Sequence, residues 1–222
     1  MKKQIGILML VLLTFVSRAQ LTNLTVTANP NVAIPDGNQV GYVSTVTVGG
    51  MFGVVTSISV NLNITGGFNG DLYAYLVSPQ SSMVVLLNRV GISSANSFGY
   101  SDAGFNITLT AAGSNIHNYQ SGSYTLSGGQ LTGTWGADQR IVDPQGAPSS
   151  FDASPTGNNL NVYNGTDPNG VWTLFISDLS SGYQSTLVTW GLTVATVPEP
   201  QTWTLLGGGL AALWFTVRNR RK

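Results

Sequence analysis

The chain has 222 residues and contains no cysteine, which excludes disulfides and thiolate metal sites. Its nine basic and nine acidic side chains are segregated: residues 20–196 hold two arginines against eight aspartates, a net charge of −6. This excludes nucleic acid as a partner, because phosphate binding needs a basic surface.

Residues 1–19 are predicted to be a signal peptide. Two lysines form a basic start, residues 5–16 form an apolar run, and the stretch ends in a small–x–small pattern at Ala19, where cleavage is expected. The apolar run is shorter than the roughly 20 residues of a bilayer span. We therefore expect export of the mature chain; the alternative is a buried first strand or helix.

Residues 20–196 predict one domain made of β-strands. Apolar and polar residues alternate over 56–65, 104–110, 171–177 and 187–194, so that every second side chain faces inward. In the last stretch the inward set is Val188, Trp190, Leu192 and Val194. Turn pairs such as Asn69-Gly70 separate the strands. The pattern predicts an all-β, antiparallel sandwich or barrel, and the proline-containing stretch 144–159 predicts a long loop.

Residues 197–222 predict a sorting segment. Glu199, the only glutamate, lies between Pro198 and Pro200, which keep the backbone extended as an enzyme cleft requires. Residues 203–217 are uncharged and predict one short transmembrane helix of about 22 Å, less than a hydrocarbon core of roughly 30 Å. The basic residues at 218–222 are expected to hold the end in the cytoplasm; they are Arg218, Arg220, Arg221 and Lys222.

The motif Val197-Pro198-Glu199-Pro200, the apolar span and the basic tail together resemble the PEP-CTERM sorting signal. The resemblance implies processing by an exosortase and transient residence in the inner membrane. It also implies final localisation at the cell surface or in the extracellular matrix of a Gram-negative-type bacterium. A permanent membrane anchor is the alternative.

Four blocks of the mature region resemble the P domain of proprotein convertases (P/Homo B), a module that accompanies subtilisin-like proteases. They are "IPDGNQVGYVSTVTV" (34–48), "NGDLYAYLVSPQ" (69–80), "FGYSDAG" (98–104) and "DPNGVWTLFISDLSSGYQSTLVTWGLTV" (167–194). The resemblance implies a jelly-roll β-sandwich of about eight strands. The chain departs from the family at Gly66-Gly67, where a histidine is frequent, and at Asp102, where an acidic run is reduced to one residue.

The aspartates are the candidate metal ligands, because calcium takes 6–8 oxygen ligands from carboxylates and carbonyls. Asp71 and Asp102, with Asp36 third, occupy acidic positions of the P-domain blocks and are the candidate calcium ligands. The alternative is that these aspartates are turn residues bonded to local backbone amides.

No catalytic residues are predicted. The chain has no G-x-S-x-G motif, and His117, its only histidine, lies in the polar stretch "SNIHNYQ", where a solvated loop is expected. The resemblance to a protease-associated module therefore does not imply serine-endopeptidase activity for this chain, because it lacks a catalytic domain.

Tyr73 and Tyr75 are two residues apart on a predicted strand and share its outer face, so they are candidates for stacking on exopolysaccharide; packing under a neighbouring loop is the alternative. The sequence thus predicts an exported, non-enzymatic binding or structural protein. Two alternatives are an accessory domain for a secreted subtilisin-like protease and a glycan-binding jelly roll.

Overall fold

The computed structural model describes residues 22–197 and, closer to the carboxyl end, Gly208, Gly209, Leu213 and Arg218, which are helical. The predicted signal peptide and most of the predicted sorting segment lie outside the described residues. Among the residues described, no helix is long and apolar enough to cross a membrane. Leu21–Pro198 forms a compact unit that contains the buried core, so we expect this part of the chain to fold alone.

Eleven strands form between residues 22 and 197. They are β1 (Thr22–Ala28), β2 (Val32–Ala33), β3 (Asn38–Val48), β4 (Val54–Gly66), β5 (Leu72–Val77), β6 (Met83–Asn88), β7 (Gly104–Asn115), β8 (Thr125–Ser127), β9 (Gln130–Gly136), β10 (Gly170–Asp178) and β11 (Ser185–Val197). Short 3-10 helices occupy Asn69–Asp71, Ile116–Ser121, Pro148–Phe151 and Leu160–Tyr163.

The strands form two sheets, which confirms the predicted all-β sandwich. The larger sheet has seven strands in the order β1-β11-β4-β7-β9-β8, with β2 also paired to β11; the smaller has the order β3-β10-β5-β6. One pair departs from the antiparallel prediction, because β7 and β9 run parallel. The chain between them makes a 3-10 helix and then the short strand β8, which places β9 back beside β7 in the same direction.

The predicted alternation sets the core. Ile58, Val60, Leu62 and Ile64 of β4 are all buried, as are Trp172, Leu174 and Ile176 of β10. The two buried tryptophans come from opposite sheets, and each indole N–H has a partner. Trp190 Nε1 donates to Ser44 Oγ at 2.8 Å and Trp172 Nε1 donates to the Pro168 carbonyl at 2.9 Å, so neither buries an unpaired donor.

The predicted inward position of Val188 is wrong. A β-bulge between Leu187 and Thr189 shifts the register of β11 against β4, and an extra residue in one strand reverses the faces on one side of the bulge. Leu187 is therefore buried and Val188 is half-buried, and the predicted alternation resumes at Trp190.

Candidate functional site

Three aspartates lie at one end of the smaller sheet. β10 ends at Asp178, which pairs with Leu72 of β5 on one side and with Asn38 of β3 on the other. Asp71 immediately precedes Leu72, and Asp36 lies two residues before Asn38. The register of three strands thus brings Asp36, Asp71 and Asp178 within electrostatic range of one another; we name them the aspartate cluster.

The carboxylate of Asp178 has the fewest favourable contacts of the three. It is 0% exposed, and neither carboxylate oxygen has a hydrogen-bond partner among the described residues. The Ser185 hydroxyl and the Ser180 backbone N–H lie near enough to lower the pKa of Asp178, although neither makes a well-formed hydrogen bond to its carboxylate. Burial, followed by the charges of Asp71 and Asp36, nevertheless raises the pKa of Asp178 from 3.8 to about 6. Burial likewise raises the pKa of Asp71.

Arg89 is the cation of this region. Its backbone is left-handed, with φ 48°, directly after β6. Its Nε donates to the Gly70 carbonyl at 3.2 Å and its Nη2 donates to Ser180 Oγ at 3.2 Å, while its Nη1 reaches the Pro144 carbonyl at 3.4 Å. Burial lowers the pKa of Arg89, and the charges of Asp71 and Asp178 oppose that shift. The guanidinium therefore links three loops and offsets the aspartate cluster through space.

Asp102, the remaining candidate calcium ligand, is engaged elsewhere. Its carboxylate accepts hydrogen bonds from Tyr119 Oη at 2.6 Å and Gln120 Nε2 at 2.7 Å, and burial with this bond raises the pKa of Tyr119. Within residues 22–197, no three His, Cys, Asp or Glu side chains are arranged to hold a metal ion. Calcium at Asp36, Asp71 and Asp102 stays a prediction, and any such site would need hydroxyl or carbonyl oxygens besides the carboxylates.

The expectation that His117 is a solvated loop residue is wrong. The side chain is 2% exposed, its Nδ1 lies 2.8 Å from Asp138 Oδ2, and its Nε2 lies 3.0 Å from the Ile92 carbonyl. Asp138 is itself fully buried; it also accepts hydrogen bonds from Arg140 Nη1 at 3.0 Å and from the Asn88 amide at 3.0 Å. We name Asp138, His117 and Arg140 the buried ion network.

Tyr73 and Tyr75 share the outer face of β5, as predicted, and are half-buried. Their rings are inclined at 61° with centroids 5.9 Å apart, so they do not form one flat platform. The ring of Phe175 on β10 stacks on Tyr75 at 4.8 Å and 14°, covering one of its faces. Gly41 of β3 leaves room for Phe175, since a Cβ there would lie 2.9 Å from its ring.

Sequence reasoning missed Asp178, Phe175 and Asp138. The signal for Asp178 and Phe175 was the alternation of "VWTLFISD", which places Phe175 on the outer face and ends the strand in a carboxylate. Asp138 gave no local signal, because its role depends on contact with His117, 21 residues away in the chain.

Of the processing motif, the structure describes Val197 as the last residue of β11 and Arg218 as helical, while Pro198, Glu199, Pro200 and Arg220–Lys222 lie outside the described residues, as does Ala19. The smaller sheet and the aspartate cluster lie wholly within residues 22–197.

Comparisons with known proteins identify the carboxyl end. Residues 196–222 match the family model of the PEP-CTERM protein-sorting motif. A serine protease of Aeromonas sobria is similar in structure: in the crystal structure with its chaperone the identity is 17% and the TM-score 0.44, and in a second crystal structure they are 16% and 0.43. Each match covers 80% of this chain and 27% of the other chain. No curated protein matches the chain. The sorting motif indicates an exported protein that an exosortase processes.

Proposed function

We propose that the β-sandwich is a P-domain-like, non-enzymatic binding or structural module, which the exosortase passes to the cell surface or the extracellular matrix. The observation that carries the proposal concerns His117, whose ring nitrogens are both engaged inside the protein. It is the one side chain here whose ordinary pKa suits acid–base catalysis near neutral pH. Both of its ring nitrogens are held by oxygen atoms of the protein itself.

An Asp–His pair acts as a general base only when the second ring nitrogen can reach the reacting proton. In this protein that nitrogen, Nε2, lies 3.0 Å from the Ile92 carbonyl oxygen, and the ring lies nearly parallel to that of Phe151 with centroids 6.0 Å apart. Arg140 binds the other oxygen of Asp138. These contacts favour a structural role for the buried ion network, as an anchor for the segment between β9 and β10.

The P-domain likeness draws support from where its sequence blocks lie. Three of the four cover β3, β5 and β10, which are neighbours in the smaller sheet, and the last block also covers β11 in the larger sheet. The aspartates at positions 36, 71 and 178 belong to these blocks and meet at one sheet end. The residues that carry the likeness thus form one connected region.

The test is to purify residues 21–198 and assay them in parallel for hydrolysis of peptide, ester and glycoside substrates and for retention on matrix material from a PEP-CTERM-encoding bacterium. We expect retention without hydrolysis. Hydrolysis that disappears in His117→Gln overturns the proposal. A rise in the melting temperature of a co-secreted subtilisin-like protease would instead favour the accessory function.

A further inference from the structure

The outer face of the larger sheet is made of small, uncharged polar residues. The strand register aligns them in rows that cross the sheet. One row is Thr134, Thr108, Asn61, Gly191 and Thr27; the next is Thr125, Thr132, Asn106, Asn63 and Thr189; a third contains Ser59, Thr193 and Thr25. We name these three rows the threonine–asparagine face.

This face bears no charge in a domain that is otherwise acidic. The eight aspartates and two arginines of residues 22–197 all lie outside the three rows. The rows also contain no aromatic and no large aliphatic side chain. The face therefore differs from the outer face of the smaller sheet, where Tyr75 and Phe175 stack and Val43 is 55% exposed.

A groove of about 460 Å³ lies in the middle of the face, within the size range of ligand sites. Its polar lining is Asn61, Asn63, Asn106, Thr108, Thr134 and Thr189. Two of the amides are oriented from within the sheet, because Asn61 Oδ1 accepts from Thr108 Oγ1 at 2.8 Å and Asn63 Oδ1 accepts from Gln130 Nε2 at 2.9 Å. Asn106 and Thr134 are exposed, and their side chains make no hydrogen bond to another described residue.

We propose that the threonine–asparagine face binds a neutral polysaccharide chain, which lies along the groove. Threonine hydroxyls and asparagine amides each donate and accept hydrogen bonds, as sugar hydroxyls do, so the two surfaces match group by group. A charged chain would lose hydration on this face without meeting an opposite charge. The face also has no aromatic or arginine side chain, and these are the residues that carry most of the binding energy between proteins. It is therefore poorly suited to a protein partner.

The inference rests on the proposed binding function and names its ligand class. The test is affinity electrophoresis of residues 21–198 through gels that contain dextran, xyloglucan or galactomannan, with alginate as the anionic probe. We expect retardation by at least one of the neutral polymers, and little change when salt is added, because no ion pairs are involved. The double variant Asn106→Ala/Thr134→Ala should bind about tenfold more weakly, since it removes two sets of hydrogen bonds.

Two controls decide where the chain binds. Thr45→Ala/Thr47→Ala removes two exposed threonines of β3 on the other sheet and should leave retardation unchanged; circular dichroism checks that each variant is folded. The proposal is overturned if none of the neutral polymers retards the protein, if only alginate does, or if Tyr73→Ala/Tyr75→Ala abolishes retardation while Asn106→Ala/Thr134→Ala does not.

The two proposals fail in different ways. If matrix retention persists while none of the neutral polymers binds, the polysaccharide inference is wrong and the binding function stands. If a bound polymer is cut, so that reducing ends accumulate, the non-enzymatic function is wrong and the face remains a ligand site.

Discussion

The Asp178→Asn substitution tests the electrostatic description of the aspartate cluster. Asn has nearly the shape of Asp and carries no charge, so the variant removes the repulsion from Asp71 and Asp36 without opening a cavity. Asp178 is fully buried and its carboxylate has no hydrogen-bond partner among the described residues. We therefore expect the variant to be more stable than the wild type at neutral pH.

The magnitude follows from the pKa of Asp178, which rises from 3.8 to about 6 in the folded protein. A shift of this size corresponds to about 3 kcal/mol of folding free energy. Because the folded pKa is raised, the protonated carboxyl's contribution to stability is complete below pH 3.8 and is lost as pH rises through about 6. The variant should gain about 3 kcal/mol over the wild type above that pH, and the gain should vanish towards pH 4.

Urea denaturation of residues 21–198 between pH 4 and pH 8 gives the free energy of unfolding of both proteins. Subtracting the two curves isolates Asp178 from the other carboxylates. Asp143→Asn removes one carboxylate from an exposed position and is the matched control for the loss of a negative charge. Parallel curves for wild type and Asp178→Asn across this range would refute the reasoning.

Three further predictions concern the ion network, calcium and processing. Asp138→Ala should lower the free energy of unfolding by about 3–5 kcal/mol in urea denaturation, because it removes the carboxylate that the buried His117 and the partly buried Arg140 share; a loss below 1 kcal/mol contradicts the network's structural role. Millimolar calcium should raise the melting temperature at pH 8 more than at pH 5, since carboxylate ligands must be deprotonated, and Asp71→Ala should abolish the rise. A melting temperature of the wild type that calcium does not change contradicts the calcium prediction. Glu199→Ala should leave uncut protein in the membrane fraction on immunoblots, whereas normal release contradicts exosortase recognition of the motif.

The buried faces of the strands could be predicted because alternation is a local property. Ile58 to Ile64 on β4 and Trp172 to Ile176 on β10 needed only a period of two. The bulge that buries Leu187 could not be predicted, because it depends on how β11 pairs with β4, more than 120 residues earlier in the chain.

The candidate site could be predicted only in part, because some of its residues are placed by contacts with distant parts of the chain. Asp36 and Asp71 carried local turn signals, but the position of their neighbour Asp178 is set by pairing between β10 and strands more than 100 residues away. His117 was misjudged because its nearest residues in sequence are polar, whereas its partners, Asp138 and Ile92, are more than 20 residues distant. Local composition predicts solvation only for residues that no distant segment covers.

Strand β11 ends at Val197, directly before the Pro198-Glu199-Pro200 motif, and it is paired with β4 along its length and with β1 from Trp190 to Thr196. A force applied at Val197 acts directly on this strand. A pulling force would load the hydrogen bonds on both sides of β11 together, in shear, instead of opening them one at a time. The fold is thus suited to bear mechanical load at its carboxyl end.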